Sequence, residues 1–192
     1  MLSETQVKKS SIALIDRLKN LDSLPAIAYK LMYPETGKGW TKEQTEKAIA
    51  RYLMFLALKH LHPNVEIVPS DEIDRVWHTH ILDTQKYAAD CQQIFGSFLH
   101  HFPYFGIRNE ADRQNLNATF ARTQTLFKEH FGVSLERSSV CVLPHKGKAQ
   151  PSVCVLPKPS VCILSTNVDP SRPCVNINLD SYFPTEIEIG QF

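Results

Sequence analysis

The sequence lacks an excess of charge of either sign, a long apolar run and a glycine-rich stretch. Its 21 Lys and Arg balance 20 Asp and Glu, so a formal net charge of +1 removes the electrostatic argument for nucleic acid or an anionic membrane as partner. No window approaches the roughly 18 uninterrupted apolar residues of a transmembrane helix. The N-terminus has no long apolar core followed by a small-residue cleavage site. We therefore expect no signal peptide, no membrane span and a cytoplasmic location.

The composition changes near residue 137, which divides the chain into two parts. Four of the five cysteines and seven of the twelve prolines lie after that point, while both tryptophans lie before it. Residues 1–137 are predicted to form a mainly α, compact helical domain of four to six helices, because periodic apolar stretches alternate there with short breaks. Residues 138–192 are predicted to form a Pro- and Cys-rich tail that is partly extended or disordered.

Apolar spacing and end signals predict where the helices lie. The expected spans are residues 4–21, 24–32, 41–61, 109–131, and one continuous helix from Ser70 through the WHTHIL segment to Cys91, or to Phe95 before Gly96. Thr41 and Gln44 form a capping box, and Gly132 is expected to end the last helix. The connector at 64–69 (NVEIVP) has the composition of a short strand.

The densest group of reactive side chains lies on and just after the predicted helix that begins at Ser70. Its members are Asp74, Trp77, His78, His80, Tyr87, Asp90, Cys91, His100 and His101. On a helix, Asp74 and His78 share a face, whereas His78 and His80 point in opposite directions. A straight helix also separates His80 from Cys91 by roughly 16 Å, which excludes one tight site containing every member.

Two smaller arrangements remain open. In the first, Asp74 and His78 form a metal-ligand pair, or a carboxylate–imidazole couple, that is completed by His100 or His101 folding back. A divalent metal is the cofactor that this arrangement would hold. The second arrangement is a groove that His80 lines together with a tyrosine and one of the later histidines.

The remaining members of the group have both a structural and a functional interpretation. Tyr87 is the tyrosine of the second arrangement. Trp77 suits either a core position or a functional contact, since tryptophan combines a large apolar ring with one polar edge. Cys91 is either a nucleophile or a small apolar residue that fills a slot in the core.

The tail carries three near-copies of one short motif and a weaker fourth copy. They lie at 138–144 (SSVCVLP), 151–157 (PSVCVLP), 159–165 (PSVCILS) and 173–178 (PCVNIN). Each copy places a cysteine in a β-prone run of Val, Ile or Leu, and these cysteines are Cys141, Cys154, Cys162 and Cys174. No C-x-x-C knuckle of a zinc ribbon occurs. The tail thiols are therefore candidates for soft-metal binding, for modification, or for packing as small apolar side chains.

Residues 71–106 resemble the glycine-rich domain-containing protein-like family through a W-H-T-H-x-L…Y…G…H pattern. The matching positions are Asp74, Trp77, His78, Thr79, His80, Leu82, Tyr87, Gly96 and His100 or His101. The resemblance extends over roughly residues 30–133 and is to the bacterial type. It implies a module that plant members join to RNA-binding and glycine-rich segments and that is linked to stress and developmental responses. It implies no particular reaction.

Three functions are consistent with the sequence. The favoured one is a small soluble helical binding or scaffold module with a protein partner and an appended Cys-repeat tail. The second is a metal-binding protein, or a metal-dependent enzyme, that uses His78 with Asp74 and His100 or His101. The third is a carrier or leader domain that presents the tail cysteines to a modifying enzyme or to a soft metal. No motif names a reaction, and we favour a non-enzymatic role.

Overall fold

A computed structural model describes residues 13–35, 37–136 and 173–183 of the chain. The helices in these ranges are α1 (described over 13–19), α2 (Leu24–Met32), α3 (Lys42–Leu61), α4 (Asp71–Leu82), α5 (Thr84–Phe95) and α6 (Glu110–Phe131). A single 3-10 turn follows at Asp180–Tyr182, and the same ranges contain no strand, so the connector at 64–69 is unpaired. The predicted mainly helical fold is confirmed. Within the described ranges, every helix is too short or too polar to cross a membrane.

Local sequence signals set the starts of α3, α4 and α6 and the end of α6 where the sequence predicts them. The Thr41 hydroxyl accepts a hydrogen bond from the Gln44 amide, and the Gln44 side chain accepts one from the Thr41 N–H, which completes the capping box at α3. The side chains of Ser70 and Asn109 accept hydrogen bonds from the first turns of α4 and α6. Gly132, with φ of 65°, ends α6 in the left-handed conformation.

Helix α3 forms the centre of the fold. All residues from Tyr52 to Leu58 are buried, which is the pattern of a helix surrounded by other elements rather than lying on a surface. Helices α2, α4 and α6 pack around it. Because α4 lies directly against this buried helix, one of its faces is held in the core and the opposite face is presented to solvent.

The continuous helix predicted from Ser70 is broken at Asp83, so that prediction was wrong. Asp83 has φ of −87° and ψ of 71°, which separates α4 from α5. A straight helix would place His80 and Asp90 roughly 15 Å apart. The break instead brings their side chains to 3.1 Å, in a buried hydrogen bond. No Gly or Pro marks this position in the sequence. The break is stabilised instead by contacts between the two halves of the predicted helix.

The last described segment, residues 173–183, returns to the helical domain. Lys19 of α1 forms an ion pair with Asp180 at 2.9 Å and lies over the ring of Phe183. Leu179 and Phe183 are both buried. This part of the predicted tail is therefore packed against the domain. The three closest copies of the repeat, at 138–165, lie outside the described residues.

Candidate metal centre

Three side chains converge to within metal-ligating distance of one another: Asp74, His78 and His101. Asp74 and His78 lie one turn apart on α4, and His78 Nε2 is 3.6 Å from Asp74 Oδ2. His101 lies in the loop after α5. Its Nε2 is 2.9 Å from Asp74 Oδ1 and 3.2 Å from His78 Nε2. One ligand atom from each residue lies within 4.8 Å of the other two.

These separations are close to the spacing of ligands around a single small cation. Two ligands of a tetrahedral ion with bonds of about 2.0–2.2 Å lie about 3.3–3.6 Å apart. His78 Nε2 lies 3.6 Å from Asp74 Oδ2, which is within this range, and His101 Nε2 lies slightly closer than this range, at 2.9 Å from Asp74 Oδ1 and 3.2 Å from His78 Nε2. Three protein ligands also leave at least one coordination position for water or another molecule, as in catalytic zinc sites, whereas structural zinc sites have four protein ligands.

The structure distinguishes between the two histidines that the sequence offered as alternatives. His101 reaches the pair on α4, whereas His100 packs against the ring of Phe98, with ring centroids 4.9 Å apart. The two imidazoles of α4 lie on opposite faces of the helix, as their spacing predicts. The side chain of His78 is 53% exposed, and that of His80 is 1% exposed.

His80 belongs to a separate, buried hydrogen-bond network. Its Nε2 is 3.1 Å from Asp90 Oδ2, and its Nδ1 is 3.0 Å from the Tyr52 hydroxyl. Because a carboxylate only accepts, Nε2 of His80 donates the hydrogen bond to Asp90. Burial opposes ionisation of Asp90, but the His80 hydrogen bond and the Lys86 charge together hold its pKa below the usual value. This network joins α3, α4 and α5.

The predicted groove between His80 and Tyr87 is not formed. Both side chains are buried, and their rings are in contact with centroids 5.0 Å apart, so there is no open surface between them. The break at Asp83 is the physical reason, because it folds α5 onto α4 and closes the space that a straight helix would leave exposed.

Trp77 and Tyr87 lie directly behind the three converging side chains. Trp77 Nε1 donates to the Tyr87 hydroxyl at 2.9 Å, and that hydroxyl donates to the Leu99 carbonyl at 2.5 Å. The Trp77 ring packs edge-on against the His101 ring, with centroids 4.7 Å apart. Burial raises the pKa of Tyr87. Its hydroxyl therefore stays protonated and able to donate.

Two cysteines lie in the described part of the chain, and neither joins the three converging side chains. Cys91 is buried on α5, and burial raises the pKa of its thiol, which disfavours the thiolate that a nucleophile or metal ligand needs. Cys174 is exposed at the start of the returning segment. The other tail cysteines, Cys141, Cys154 and Cys162, lie outside the described residues.

The three converging side chains form part of the wall of a cleft of about 480 Å³. This volume lies in the range of roughly 300–1,000 Å³ that is usual for small-molecule sites. The cleft runs between α3, α4, the loop at 99–108 and α6, and much of its wall is apolar. The apolar side chains that line it include Phe55, Trp77, Phe102, Ile107 and Leu116.

Sequence reasoning missed the residues that anchor the far end of this loop. Asp112, at the start of α6, accepts hydrogen bonds from the Gly106 amide at 2.7 Å and from the Arg108 guanidinium at 2.5 Å. The bond from Arg108 is the largest of the effects that lower the pKa of Asp112 to about 2. Gly106 has φ of 88°. A glycine within an aromatic run, six residues before an acid in the first turn of a helix, was the available signal.

Comparison with known proteins finds relatives in sequence but no matching solved structure. A family described as UCP032817-like matches residues 25–139, a span that contains all three converging side chains. Glycine-rich domain-containing protein 1 of Arabidopsis thaliana is 28% identical over 107 residues, which are 54% of this chain and 12% of that protein. Glycine-rich domain-containing protein 2 of the same plant is 31% identical over 91 residues, 45% of this chain and 11% of that protein. The chain thus matches only about an eighth of the length of these curated relatives.

Proposed function

The chain belongs to the UCP032817-like family, and we propose that its helical domain binds one divalent transition-metal ion through Asp74, His78 and His101. The observation that carries this proposal is the convergence of three ligand atoms within 4.8 Å on the wall of a cleft. On sequence alone a scaffold role was favoured, because spacing did not establish that these side chains meet. Because the three side chains converge, we favour metal binding over the scaffold role.

The donor set favours zinc or iron(II) over calcium or magnesium. Two imidazole nitrogens and one carboxylate suit zinc and non-haem iron(II), whereas calcium and magnesium prefer sites made of oxygen atoms alone. His101 Nε2 lies 2.9 Å from an Asp74 oxygen and donates its proton to that carboxylate. Because imidazole and carboxylate groups bind a metal ion only in their deprotonated forms, metal affinity is expected to fall as the pH is lowered.

The placement of the site favours an ion that binds a further molecule. Its ligands are partly exposed on the side that faces the cleft, and the three protein donors leave coordination positions open. The cleft has the volume and the apolar lining of a small-molecule site. These features support a metal ion that holds or activates a small ligand more than an ion with a purely structural role.

Metal stoichiometry and affinity test the proposal directly. The full chain, purified without a His tag, is expected to bind one equivalent of zinc or cobalt(II) in calorimetric titration. His78→Ala and His101→Ala are expected to abolish this binding, because each removes one of three ligands. His100→Ala is the matched control, since it changes the neighbouring loop histidine, which packs against Phe98 instead. Equal loss in all three variants, or undiminished binding by His101→Ala, would contradict the assignment.

The tail thiols require their own control, because cysteines also bind zinc. A parallel chain in which the tail cysteines are replaced by serine separates the two contributions. These residues are Cys141, Cys154, Cys162 and Cys174. The proposed site predicts that this chain keeps one equivalent of metal. The carrier function predicts instead that soft-metal binding, or a mass increase from modification in the native host, disappears with these thiols.

A partner-binding role is the second candidate function, and one observation favours it. Phe102, Tyr104 and Ile107 are exposed on the loop that borders the cleft, and adjacent exposed apolar side chains commonly mark interaction sites. Cross-linking in the native host, followed by mass spectrometry, tests this role. A partner that is recovered with the wild-type chain and lost with the Phe102→Ser/Tyr104→Ser variant would support it, and identical recovery with both chains would reject it.

A further inference from the structure

One of the three proposed ligands lies on a segment that helical structure does not hold in place. Asp74 and His78 are carried by α4, whose backbone is fixed by its own hydrogen bonds. His101 lies in the loop that follows Gly96, where φ of 70° ends α5. Among the described residues, no backbone-to-backbone hydrogen bond holds the loop at 97–103. Something else must therefore determine where the imidazole of His101 lies.

The Tyr87 hydroxyl contacts this loop and the helix behind it at the same time. It donates to the Leu99 carbonyl, two residues before His101, at 2.5 Å. It accepts from Trp77 Nε1 at 2.9 Å. A phenol has one proton to donate and lone pairs to accept, so both hydrogen bonds form together. The hydroxyl thus joins a side chain of α4 to the backbone of the loop.

Both of these hydrogen bonds restrict His101. The bond to Leu99 fixes the loop backbone next to it. The bond to Trp77 fixes the indole ring, which packs edge-on against the His101 ring with centroids 4.7 Å apart. With the imidazole confined in this way, its Nε2 lies 2.9 Å from Asp74 and 3.2 Å from His78.

We infer that Tyr87 is the positioning residue of the metal site: its buried hydroxyl, acting through Leu99 and Trp77, holds the loop histidine His101 against Asp74 and His78. This inference rests on the proposed metal-binding function. Tyr87 itself does not touch the ion, so it acts on the geometry of the site and not on the number of its ligands. Groups that orient metal ligands in this way commonly change metal affinity by about 10–100-fold when they are removed.

A pair of buried tyrosines provides the test. Tyr87→Phe deletes the hydroxyl that joins the loop to Trp77. Tyr52→Phe deletes an equally buried hydroxyl, which bonds to His80 in the separate network of α3, α4 and α5. Both variants lose one buried hydroxyl, so both are expected to unfold at somewhat lower temperature. Zinc affinity, measured by competition with a chelator, is expected to fall about 10–100-fold in Tyr87→Phe alone.

A spectroscopic measurement separates altered site geometry from general destabilisation. The visible absorption bands of bound cobalt(II) are expected to shift in Tyr87→Phe and to match the wild type in Tyr52→Phe, because only the first variant releases His101. Equal loss of affinity in both variants would attribute the effect to stability and overturn the inference. Unchanged affinity and spectrum in Tyr87→Phe would also overturn it.

Amide hydrogen exchange of the metal-free protein keeps this test independent of the proposed function. Exchange at residues 98–102 is expected to accelerate in Tyr87→Phe and to stay unchanged in Tyr52→Phe. If the wild-type chain binds no metal yet shows this difference, the proposed function fails while the role of Tyr87 in holding the loop stands. If exchange in the loop is the same in all three proteins, the positioning role itself is wrong.

Discussion

Lys86 lies between two aspartates whose environments differ sharply, and removing each in turn tests the contribution of the buried network. Lys86 pairs with Asp22, whose side chain is 78% exposed, and with Asp90, whose side chain is 2% exposed. Asp90 also accepts the hydrogen bond from His80 Nε2. Asp22→Ala removes a surface partner of the lysine, whereas Asp90→Ala leaves a buried imidazole N–H without its acceptor.

The expected magnitudes follow from burial. An exposed ion pair contributes about 0–1 kcal/mol, so Asp22→Ala is expected to lower the free energy of unfolding by no more than that. Removing one partner of a buried, hydrogen-bonded pair costs about 3–5 kcal/mol, which is the loss expected for Asp90→Ala. Since 1 kcal/mol corresponds to about 2–4 °C in a chain of this size, Asp90→Ala is expected to lower Tm by roughly 6–20 °C. Asp90→Asn keeps an acceptor for His80 and is expected to lie between the two.

Urea unfolding followed by far-ultraviolet circular dichroism measures all three variants. The pH dependence provides a second check, because the pKa of Asp90 is lowered in the folded protein. A lowered carboxyl pKa contributes stability above the unfolded-state value, and that stability is lost as the pH falls through the folded-state value. The wild type is therefore expected to lose more stability in acid than Asp90→Asn. The reasoning is refuted if Asp90→Ala costs no more than Asp22→Ala.

Two further predictions concern the end of α6 and the cleft loop. Burial lowers the pKa of His62 and of His130, whose Nε2 atoms are 3.0 Å apart. Because the unfolded chain then takes up protons at a higher pH than the folded chain, the free energy of unfolding is expected to decline as the pH falls below about 6.5 and towards the folded-state pKa values. Urea titrations between pH 8 and pH 5 measure this slope, and a His130→Gln variant with an equally steep slope would contradict it. Gly106→Ala adds a Cβ that would lie 2.4 Å from Leu116 at a φ of 88°, and is expected to cost about 1–3 kcal/mol. Gly132→Ala is the control, because Gly132 has a similar φ of 65° but open space around it. If thermal unfolding gives the same loss of stability in both variants, the contact with Leu116 is unimportant.

The ends of the helices were predictable from sequence because the signals that set them are local. Thr41 and Gln44 satisfy each other's backbone groups within one turn, and Asn109 caps α6 through a residue three positions along the chain. Gly132 adopts the left-handed conformation that few other residues tolerate. None of these interactions depends on how the helices pack, so they can be predicted from the sequence without the tertiary structure.

The break at Asp83 was not predictable in the same way. The residues around it continue an ordinary helical pattern, and no breaker marks the position. What stabilises the break is a set of contacts between residues about ten positions apart, such as His80 with Asp90 and Trp77 with Tyr87. A straight helix cannot form these contacts, and their formation requires the burial that α3 provides.

The sequence by itself determined that Asp74 and His78 share one face of a helix and that His80 points the other way, since both statements follow from 3.6 residues per turn. Only the tertiary structure decided that His101, and not His100, joins the pair. The choice depends on the path of a loop that has no periodicity of its own and whose Leu99 carbonyl accepts a hydrogen bond from Tyr87 of α5. Side-chain contacts between separate elements place it, and these arise only after the chain has folded.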